Sequence, residues 1–232
     1  MTGRPRVHHR VTDSTNERAK ELARGGAPHG TLVTAGEQSA GRGRHGHEWS
    51  APAGTAVLMS VVLRDLDEAQ ELLPLAAAVA VCEAAEALAP LRCRVRWPND
   101  VWVDGLKLAG ILIEGRPQEG WAVLGIGVNV TTRAFPPELT DIATSIELAA
   151  PGRGAALGRT LDELLRALDR RLADTQAVIL AAWRERDALH GSAVRWADGE
   201  GTAAGIDDSG SLLVETESGT RALQAGEVHL LR

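Results

Sequence analysis

The chain has 232 residues, of which 44% are hydrophobic, and its formal net charge is −6. This length and apolar content are enough for a full hydrophobic core, which argues against global disorder. The negative charge argues against a protein whose main surface binds nucleic acid, because such surfaces are strongly basic.

The first predicted elements are a helix and two strands. Asp13 and Ser14 are residue types that often begin a helix, and they precede an alanine-containing helix predicted over residues 17–24. Apolar runs with several valines then predict strands over residues 31–35 and 56–63.

The segment between these strands, SAGRGRHGHEW at residues 39–49, contains three glycines and two arginines. Its glycines match a dinucleotide-binding turn, but Pro52 and Gly54 exclude the helix that such a turn requires. We therefore predict a long loop that binds an anion through glycine N–H groups and arginine side chains. Because clustered cations without partners repel, we expect residues 41–54 to be mobile without ligand and ordered with it.

The middle of the chain alternates between predicted strands and helices. The apolar stretch over residues 72–91 contains Glu83 and Glu86, which favours a core-facing helix over a membrane span. Trp97-Pro98-Asn99-Asp100 interrupts a strand, and Asp104-Gly105 is a hairpin signal. The predicted elements are a helix over 68–88, strands over 95–103, 107–114 and 121–130, and helices over 160–172 and 175–189.

The sequence pattern near the end of the chain differs from that of the rest. Short apolar runs alternate with turns, which predicts a small SH3-like barrel over residues 190–232, packed against a main domain over residues 1–189. Cys82 and Cys93 lack the spacing of metal ligands, and residues 1–10 lack the apolar core of a signal peptide. We therefore predict a reduced, cytoplasmic protein.

Four motifs in a fixed order now share one explanation. They are Asp13-Ser14-Thr15-Asn16, the segment from Gln38 to Arg44, Trp97-Pro98-Asn99-Asp100, and the segment from Lys107 to Leu112. Together they resemble the biotin protein ligases, and Gly205-Ile206-Asp207 and Ala225-Gly226-Glu227-Val228 are similar to the small end domain of that family. The resemblance implies an α+β fold, in which a mixed, largely antiparallel sheet flanked by helices precedes the small all-β barrel. Since the first motif begins at residue 13, we expect the monofunctional form without an N-terminal DNA-binding domain.

The resemblance also implies a two-step reaction. Biotin and ATP, which enters with Mg²⁺, would form biotinyl-5′-AMP and pyrophosphate. The biotinyl group would then pass to one lysine of the biotin carboxyl carrier domain of acetyl-CoA carboxylase or a related acyl-CoA carboxylase. The mixed anhydride is already activated, so no Ser-His-Asp nucleophile is needed. No nucleic acid or membrane is expected as a partner, and a homodimer is left open.

Site residues follow from the resemblance, motif by motif. The expected catalytic residues are Lys107, Arg44 and Asp100, with Asp100 either the base for the carrier lysine or a structural turn residue. The expected biotin contacts are Ser14, Thr15, Asn16, Gln38, Gly41, Arg42, Gly43, Arg44, Lys107, Gly110, Leu112 and Gly125. The expected nucleotide contacts are Arg42, Arg44, His47, Trp49, Lys107 and Asn129. No protein side chain is predicted as a metal ligand.

Two other functions are considered. A lipoate–protein ligase uses the same adenylate chemistry but needs a tunnel for a long acyl chain, and a nucleic-acid-binding protein could use the Arg42 and Arg44 patch. The chain also departs from the family pattern. Arg96 stands where many relatives have lysine, His45 and His47 stand where some have arginine, and the role of the final residue, Arg232, is not assigned.

Overall fold

The computed structural model describes residues 2–64, 72–116, 119–153, 155–224 and 228–231. Its larger sheet has seven strands in the spatial order β1-β2-β3-β7-β6-β5-β4. These strands are β1 (Arg6–His9), β2 (Leu32–Ala35), β3 (Ala56–Arg64), β4 (Cys93–Arg96), β5 (Asp100–Val103), β6 (Leu106–Arg116) and β7 (Trp121–Asn129). Strands β1 and β2 are parallel, and the other neighbours are antiparallel, which confirms the predicted mixed, largely antiparallel sheet.

The centre of the sheet is the pair β3 and β7. They pair along nine residues each, from Ala56 opposite Asn129 to Arg64 opposite Trp121. Almost every residue of both strands is buried, and a strand covered on both faces reads as a continuous apolar run rather than an alternating one.

Helices cover the two faces of this sheet. They are α1 (Thr15–Arg24), α2 (Leu73–Leu88), α3 (Ile146–Ala149), α4 (Leu157–Arg171) and α5 (Gln176–Arg184). Helix α1 packs through Ala19 and Ala23 on Val33, Val62 and Val123, one face of the sheet. The alanine-rich α2 lies on the opposite face with α4 and α5, within the larger hydrophobic core.

A second, antiparallel sheet follows in the order β11-β10-β9-β8-β12. Its strands are β8 (Ala193–Trp196), β9 (Gly199–Ile206), β10 (Leu212–Thr216), β11 (Gly219–Leu223) and β12 (His229–Leu230). This confirms the all-β end. The indole N–H of Trp97 donates to the Gly210 carbonyl at 2.9 Å, and the two sheets share one continuous core. The boundary at residues 189 and 190 stays a prediction, and Ala225-Gly226-Glu227 and Arg232 lie outside the described residues.

The structure differs from the predicted elements at β1, at the short helix α3, which was not predicted, and at the end of α5. Strand β1 was not predicted, because its sequence RVHH has four residues and little apolar character. Helix α5 ends at Arg184 rather than at residue 189, because Val95 exchanges backbone hydrogen bonds with Arg186 and Ala188. The helix predicted over residues 68–88 is described from Leu73, and residues 65–71 lie outside the described part.

Candidate active site

A cavity of about 490 Å³ lies on the face of the large sheet that carries α1. Its walls come from the start of α1, the loop between β2 and β3, the turn between β4 and β5, and strands β6 and β7. Most of the residues predicted from the motifs line it: Ser14, Thr15, Asn16, Gln38, Arg42, Gly43, Arg44, His47, Trp49, Asp100, Lys107, Gly110, Leu112 and Gly125. Gly41 and Asn129 are not among its described lining residues.

The glycine-rich segment is a loop between two neighbouring antiparallel strands, as predicted, and contains only a short 3₁₀ turn at Arg44–Gly46. Two backbone hydrogen bonds close it, from Trp49 N to Gly41 O at 3.0 Å and from Gly43 N to His47 O at 2.7 Å. A Cβ atom on Gly41 would lie 2.1 Å from the Trp49 carbonyl oxygen. Glycine at position 41 therefore allows the Trp49 backbone to approach closely, and Gly41 itself does not line the cavity.

The floor of the cavity is made of two glycines that lie opposite each other, Gly110 on β6 and Gly127 on β7. The Trp49 indole lies on this pair, so a Cβ atom on Gly127 would be 2.4 Å from Cε2 of the ring. Its Nε1 is buried and has no hydrogen-bond partner among the described residues. Gly127 was missed from the sequence, although the alternation of side chains along β7 places it on the same face as Gly125 and Asn129.

Polar side chains from α1 and the loop gather at one end of the cavity. Both the backbone N–H and the hydroxyl of Thr15 lie within hydrogen-bond distance of Gln38 Oε1, at 2.7 and 3.0 Å. Ser14 occupies the N-cap position of α1, but its side chain makes no cap hydrogen bond. A Cβ atom on Gly125 would lie 2.1 Å from Asn16 Oδ1, so glycine is required at that point of β7.

Lys107 and Asp100 form an ion pair, with 2.7 Å between Nζ and Oδ1. The Lys107 ammonium is also 5.8 Å from the centre of the Trp49 ring. The Lys107 backbone is held by the segment before α3, because Lys107 N donates to Ile142 O at 2.7 Å and Thr144 N donates to Lys107 O at 2.9 Å. The ammonium is therefore placed at the edge of the glycine floor by both its side chain and its backbone.

Arg44 is directed by the turn between β4 and β5. Its guanidinium donates to Asn99 Oδ1 at 3.2 Å, and the Asn99 amide donates to the Ile111 carbonyl at 2.7 Å. Ile111 N in turn donates to the Asn99 carbonyl at 3.0 Å. Asn99 was not predicted as a site residue, but it connects Arg44 to strand β6.

Arg42 contacts two carboxylates outside the loop. It forms an ion pair with Glu17 of α1 and lies 3.6 Å from Glu114 of β6. The hydrogen bond from Lys20 and the charge of Arg42 both lower the pKa of the Glu17 carboxyl. The expectation that the loop arginines lack partners was therefore wrong for Arg42, since two acidic residues distant in sequence neutralise it. The mobility of residues 41–54 stays a prediction.

Asn129 is buried and follows Gly127 on the same face of β7. Its amide donates to the Thr144 carbonyl at 3.0 Å, in the same segment that holds the Lys107 backbone. Its Oδ1 atom is buried and has no hydrogen-bond partner among the residues described. An unpaired buried acceptor is costly and is a candidate for a bond to a ligand.

Sequence reasoning also missed the contribution of the small sheet, since Val228 and His229 line the cavity. The Arg96 guanidinium lies 4.6 Å from the centre of the Trp102 ring and donates to the Val228 carbonyl at 2.8 Å. Arginine at position 96 thus joins the large sheet to the chain entering β12. The motif at residues 97–100 could not predict this contact, because Arg96 and Val228 are 132 positions apart.

The described residues contain no group of three or more His, Cys, Asp or Glu side chains arranged to hold a metal ion. They also contain no helix that is long and apolar enough to cross a membrane.

Known proteins are similar to this chain in both sequence and fold. Residues 8–130 match the model of the biotin/lipoate A/B protein ligase family, and residues 190–231 match the biotin protein ligase C terminal domain. The biotin–[acetyl-CoA-carboxylase] ligase of Mycobacterium tuberculosis is 38% identical over 237 residues, which cover 95% of this chain and 87% of that protein. The bifunctional ligase/repressor BirA of Bacillus subtilis is 36% identical, over 99% of this chain and 75% of its own length.

A solved structure of the Aquifex aeolicus biotin protein ligase in complex with biotin and ATP superimposes with a TM-score of 0.86 at 27% identity, covering 99% of both chains. The family model includes lipoate ligases, but the C-terminal domain match and these relatives are specific to biotin ligases. The chain therefore belongs to the biotin protein ligases of the biotin/lipoate A/B protein ligase family.

Proposed function

We propose that this chain joins biotin to ATP, forming biotinyl-5′-AMP and pyrophosphate, and then transfers the biotinyl group to a lysine of a biotin carboxyl carrier domain. The observation that carries the proposal is one cavity with two chemically different ends. Thr15 and Gln38 form a polar end without net charge, and Lys107, Arg42 and Arg44 supply cations toward the other end.

The polar end favours biotin over lipoate. The ureido group of biotin has a carbonyl acceptor and two N–H donors, which side chains such as Thr15 and Gln38 can bind. The dithiolane ring of lipoate has no such groups, and leaving buried polar side chains unpaired costs affinity. The nucleic-acid alternative is weakened because Arg42 is paired with Glu17 and Arg44 bonds Asn99 in the cavity wall, so they do not form an open basic surface.

The cations serve the first step. A carboxylate oxygen of biotin attacks the α-phosphorus of ATP, and pyrophosphate leaves with the electrons of the broken P–O bond. Two anions must approach each other, so fixed positive charges at the meeting point lower the barrier. Lys107 and Arg44 are proposed to hold that point, with Arg42 on the carboxylate. Mg²⁺ belongs to the ATP substrate and neutralises its phosphates.

The glycine floor and Asn129 suit the adenine base. We propose that the base lies on Gly110 and Gly127 with the Trp49 indole covering it, while the unpaired Asn129 Oδ1 accepts a hydrogen bond from the exocyclic amino group. This requires the indole to move from the floor on which it lies. Closure of the loop over the product would then exclude water from the reactive anhydride.

Asp100 is proposed to act in the second step. The amine of the carrier lysine must be neutral to attack the anhydride, and the Asp100 carboxylate is the acidic side chain beside Lys107 in the cavity. The proposed acceptor is a carboxylase carrier domain in the cytoplasm. Residues 1–189 are proposed as the catalytic domain and residues 190–232 as the end domain, which closes the cavity through Val228 and His229.

The first test measures the reaction and the role of Lys107 together. The wild-type chain with ATP and biotin should release pyrophosphate and label an added carrier domain, and lipoate should not replace biotin. Lys107→Ala should slow pyrophosphate release by about 10- to 150-fold, the effect of losing a charge-assisted contact in the transition state. Lys107→Arg should recover little, because a planar fork does not replace a compact ammonium between two ligand oxygens. Unchanged pyrophosphate release in Lys107→Ala would remove Lys107 from the reaction.

The second test separates the two steps at Asp100. Asp100→Asn should slow transfer from added biotinyl-AMP to the carrier by about tenfold or more, and should change pyrophosphate release much less, because the base acts on the carrier amine. Single-turnover transfer measures the first quantity and steady-state pyrophosphate release the second. Equal losses in both steps would show that Asp100 works through its ion pair with Lys107.

The third test fills the glycine floor. In Gly127→Ala the added methyl group would occupy space within 2.4 Å of the Trp49 ring, on the surface proposed for the base. The KM for ATP should rise at least about tenfold, while biotin binding without ATP stays within about twofold. Gly158→Ala is the matched control, because a Cβ there meets nothing within 4 Å. An unchanged KM for ATP in Gly127→Ala would place the base elsewhere.

A further inference from the structure

A continuous series of hydrogen-bonding side chains lies behind the polar end of the cavity. It runs from the loop through α1 and β3 to β6, and its members are Gln38, Thr15, Ser60, Asn16 and Glu114. The hydroxyls of Ser60 and Thr15 are 2.8 Å apart, and Ser60 Oγ is 2.6 Å from Asn16 Oδ1. Asn16 Nδ2 donates to Glu114 Oε2 at 2.9 Å. Ser60 and Glu114 are not among the described residues that line the cavity, whereas the other three are.

The Glu114 carboxylate sets the direction of the series. An ionised carboxylate only accepts hydrogen bonds, so Asn16 must turn its NH₂ group toward Glu114 and its carbonyl toward Ser60. Ser60 is 0% exposed and therefore has no solvent partner. Its hydroxyl supplies the donor that the Asn16 carbonyl requires. The buried amide is thereby held in one of its two orientations.

The same argument determines the hydrogen-bonding atoms that Thr15 and Gln38 present to the cavity. The Thr15 hydroxyl donates to Gln38 Oε1 at 3.0 Å, so its proton points away from the cavity. Because Ser60 gives its single proton to Asn16, a lone pair of Thr15 Oγ1 is left as an acceptor for a ligand. The backbone N–H of Thr15 donates to Gln38 Oε1, which turns the Gln38 NH₂ group to the free side as a donor. One acceptor and one donor side by side match an N–H and a C=O of a cyclic urea.

Two cationic side chains lie beside the Glu114 carboxylate. Its Oε1 atom is 3.0 Å from Lys20 Nζ and 3.6 Å from the Arg42 guanidinium. Lys20 is one of only two lysines in the chain, its side chain is 12% exposed, and it also contacts Glu17 at 2.8 Å. The carboxylate that accepts from Asn16 is thus also the partner of two cations.

We propose that Glu114 and Ser60 are positioning residues for biotin. They touch no substrate, and they orient Asn16 and the Ser60 proton, which leaves the Thr15 hydroxyl to donate to Gln38 and to accept from a ligand. The inference rests on the proposed function, because it assumes that the polar end of the cavity receives the ureido ring. Its consequence is selective, since the series does not reach Lys107, Arg44 or the glycine floor, and Arg42, which Glu114 also contacts, has a second ion pair with Glu17.

The experiment removes each end of the series separately. Ser60→Ala deletes the donor to Asn16, and Glu114→Gln introduces a side chain that can both donate and accept, so Asn16 is free to flip. Each should weaken biotin binding without ATP by about 5- to 20-fold in calorimetry, as expected for a misdirected hydrogen bond. The KM for ATP should stay within about twofold and kcat at saturating biotin within about threefold, because these residues do not touch the reacting atoms.

Two variants elsewhere in the fold are matched controls. Thr160→Ala removes a buried hydroxyl that bonds the Ala156 carbonyl in α4, and Glu83→Gln neutralises a half-buried carboxylate paired with Arg171. Both should leave biotin affinity unchanged. Folded Ser60→Ala and Glu114→Gln proteins with wild-type biotin affinity would overturn the positioning role, as would a parallel rise in the KM for ATP. If the wild-type chain itself fails to bind biotin, the proposed function is wrong, a result distinct from both.

Discussion

The site depends on a stretch of sheet surface that carries no side chains. Gly110, Gly125 and Gly127 lie on one face of β6 and β7. A Cβ atom would collide with Asn16 at Gly125 and with Trp49 at Gly127, and it would be in tight contact with Trp49 at Gly110. Glycine weakens a strand, because it adds no packing and loses more backbone entropy than other residues. The opposite face compensates, since Leu108 and Ile126 pack into the core. One face of the same strands is thus stabilised by packing and the other is left open for a ligand.

A second constraint is that the cations of the site are held by carboxylates. Lys107 pairs with Asp100, and Arg42 pairs with Glu17 beside Glu114. Paired cations do not repel one another, so the positive end of the cavity can be assembled in an acidic chain before any ligand arrives. An anionic substrate must then compete with these carboxylates.

Local patterns in the sequence predicted much of this arrangement. Valine-rich runs gave β3 and β7, Asp104-Gly105 marked the turn between β5 and β6, and Pro52 with Gly54 excluded a helix after the glycine-rich segment. The four motifs predicted most of the cavity wall because together, in a fixed order, they resemble the biotin protein ligases.

What the sequence did not predict depends on contacts between distant positions. Ser60 and Glu114 are ordinary strand residues until Asn16 is placed between them, 44 and 98 positions away. The end of α5 is determined by the backbone hydrogen bonds of Val95. The small sheet reaches the cavity through the contact between Arg96 and Val228. Short-range periodicity carries no information about such pairings, so Asn99, Gly127 and His229 also emerged only from the fold.

The central claim is that one cavity holds both halves of an acyl-adenylate in a single orientation. A crystal structure of the chain with biotinyl-5′-AMP tests it most directly. The account predicts the ureido ring against Thr15 and Gln38, the phosphate between Lys107 and Arg44, and the adenine on the surface of Gly110 and Gly127 with the Trp49 indole displaced over it. A ligand bound in the reverse direction, or an indole still lying on Gly127 with the base outside the cavity, would contradict it.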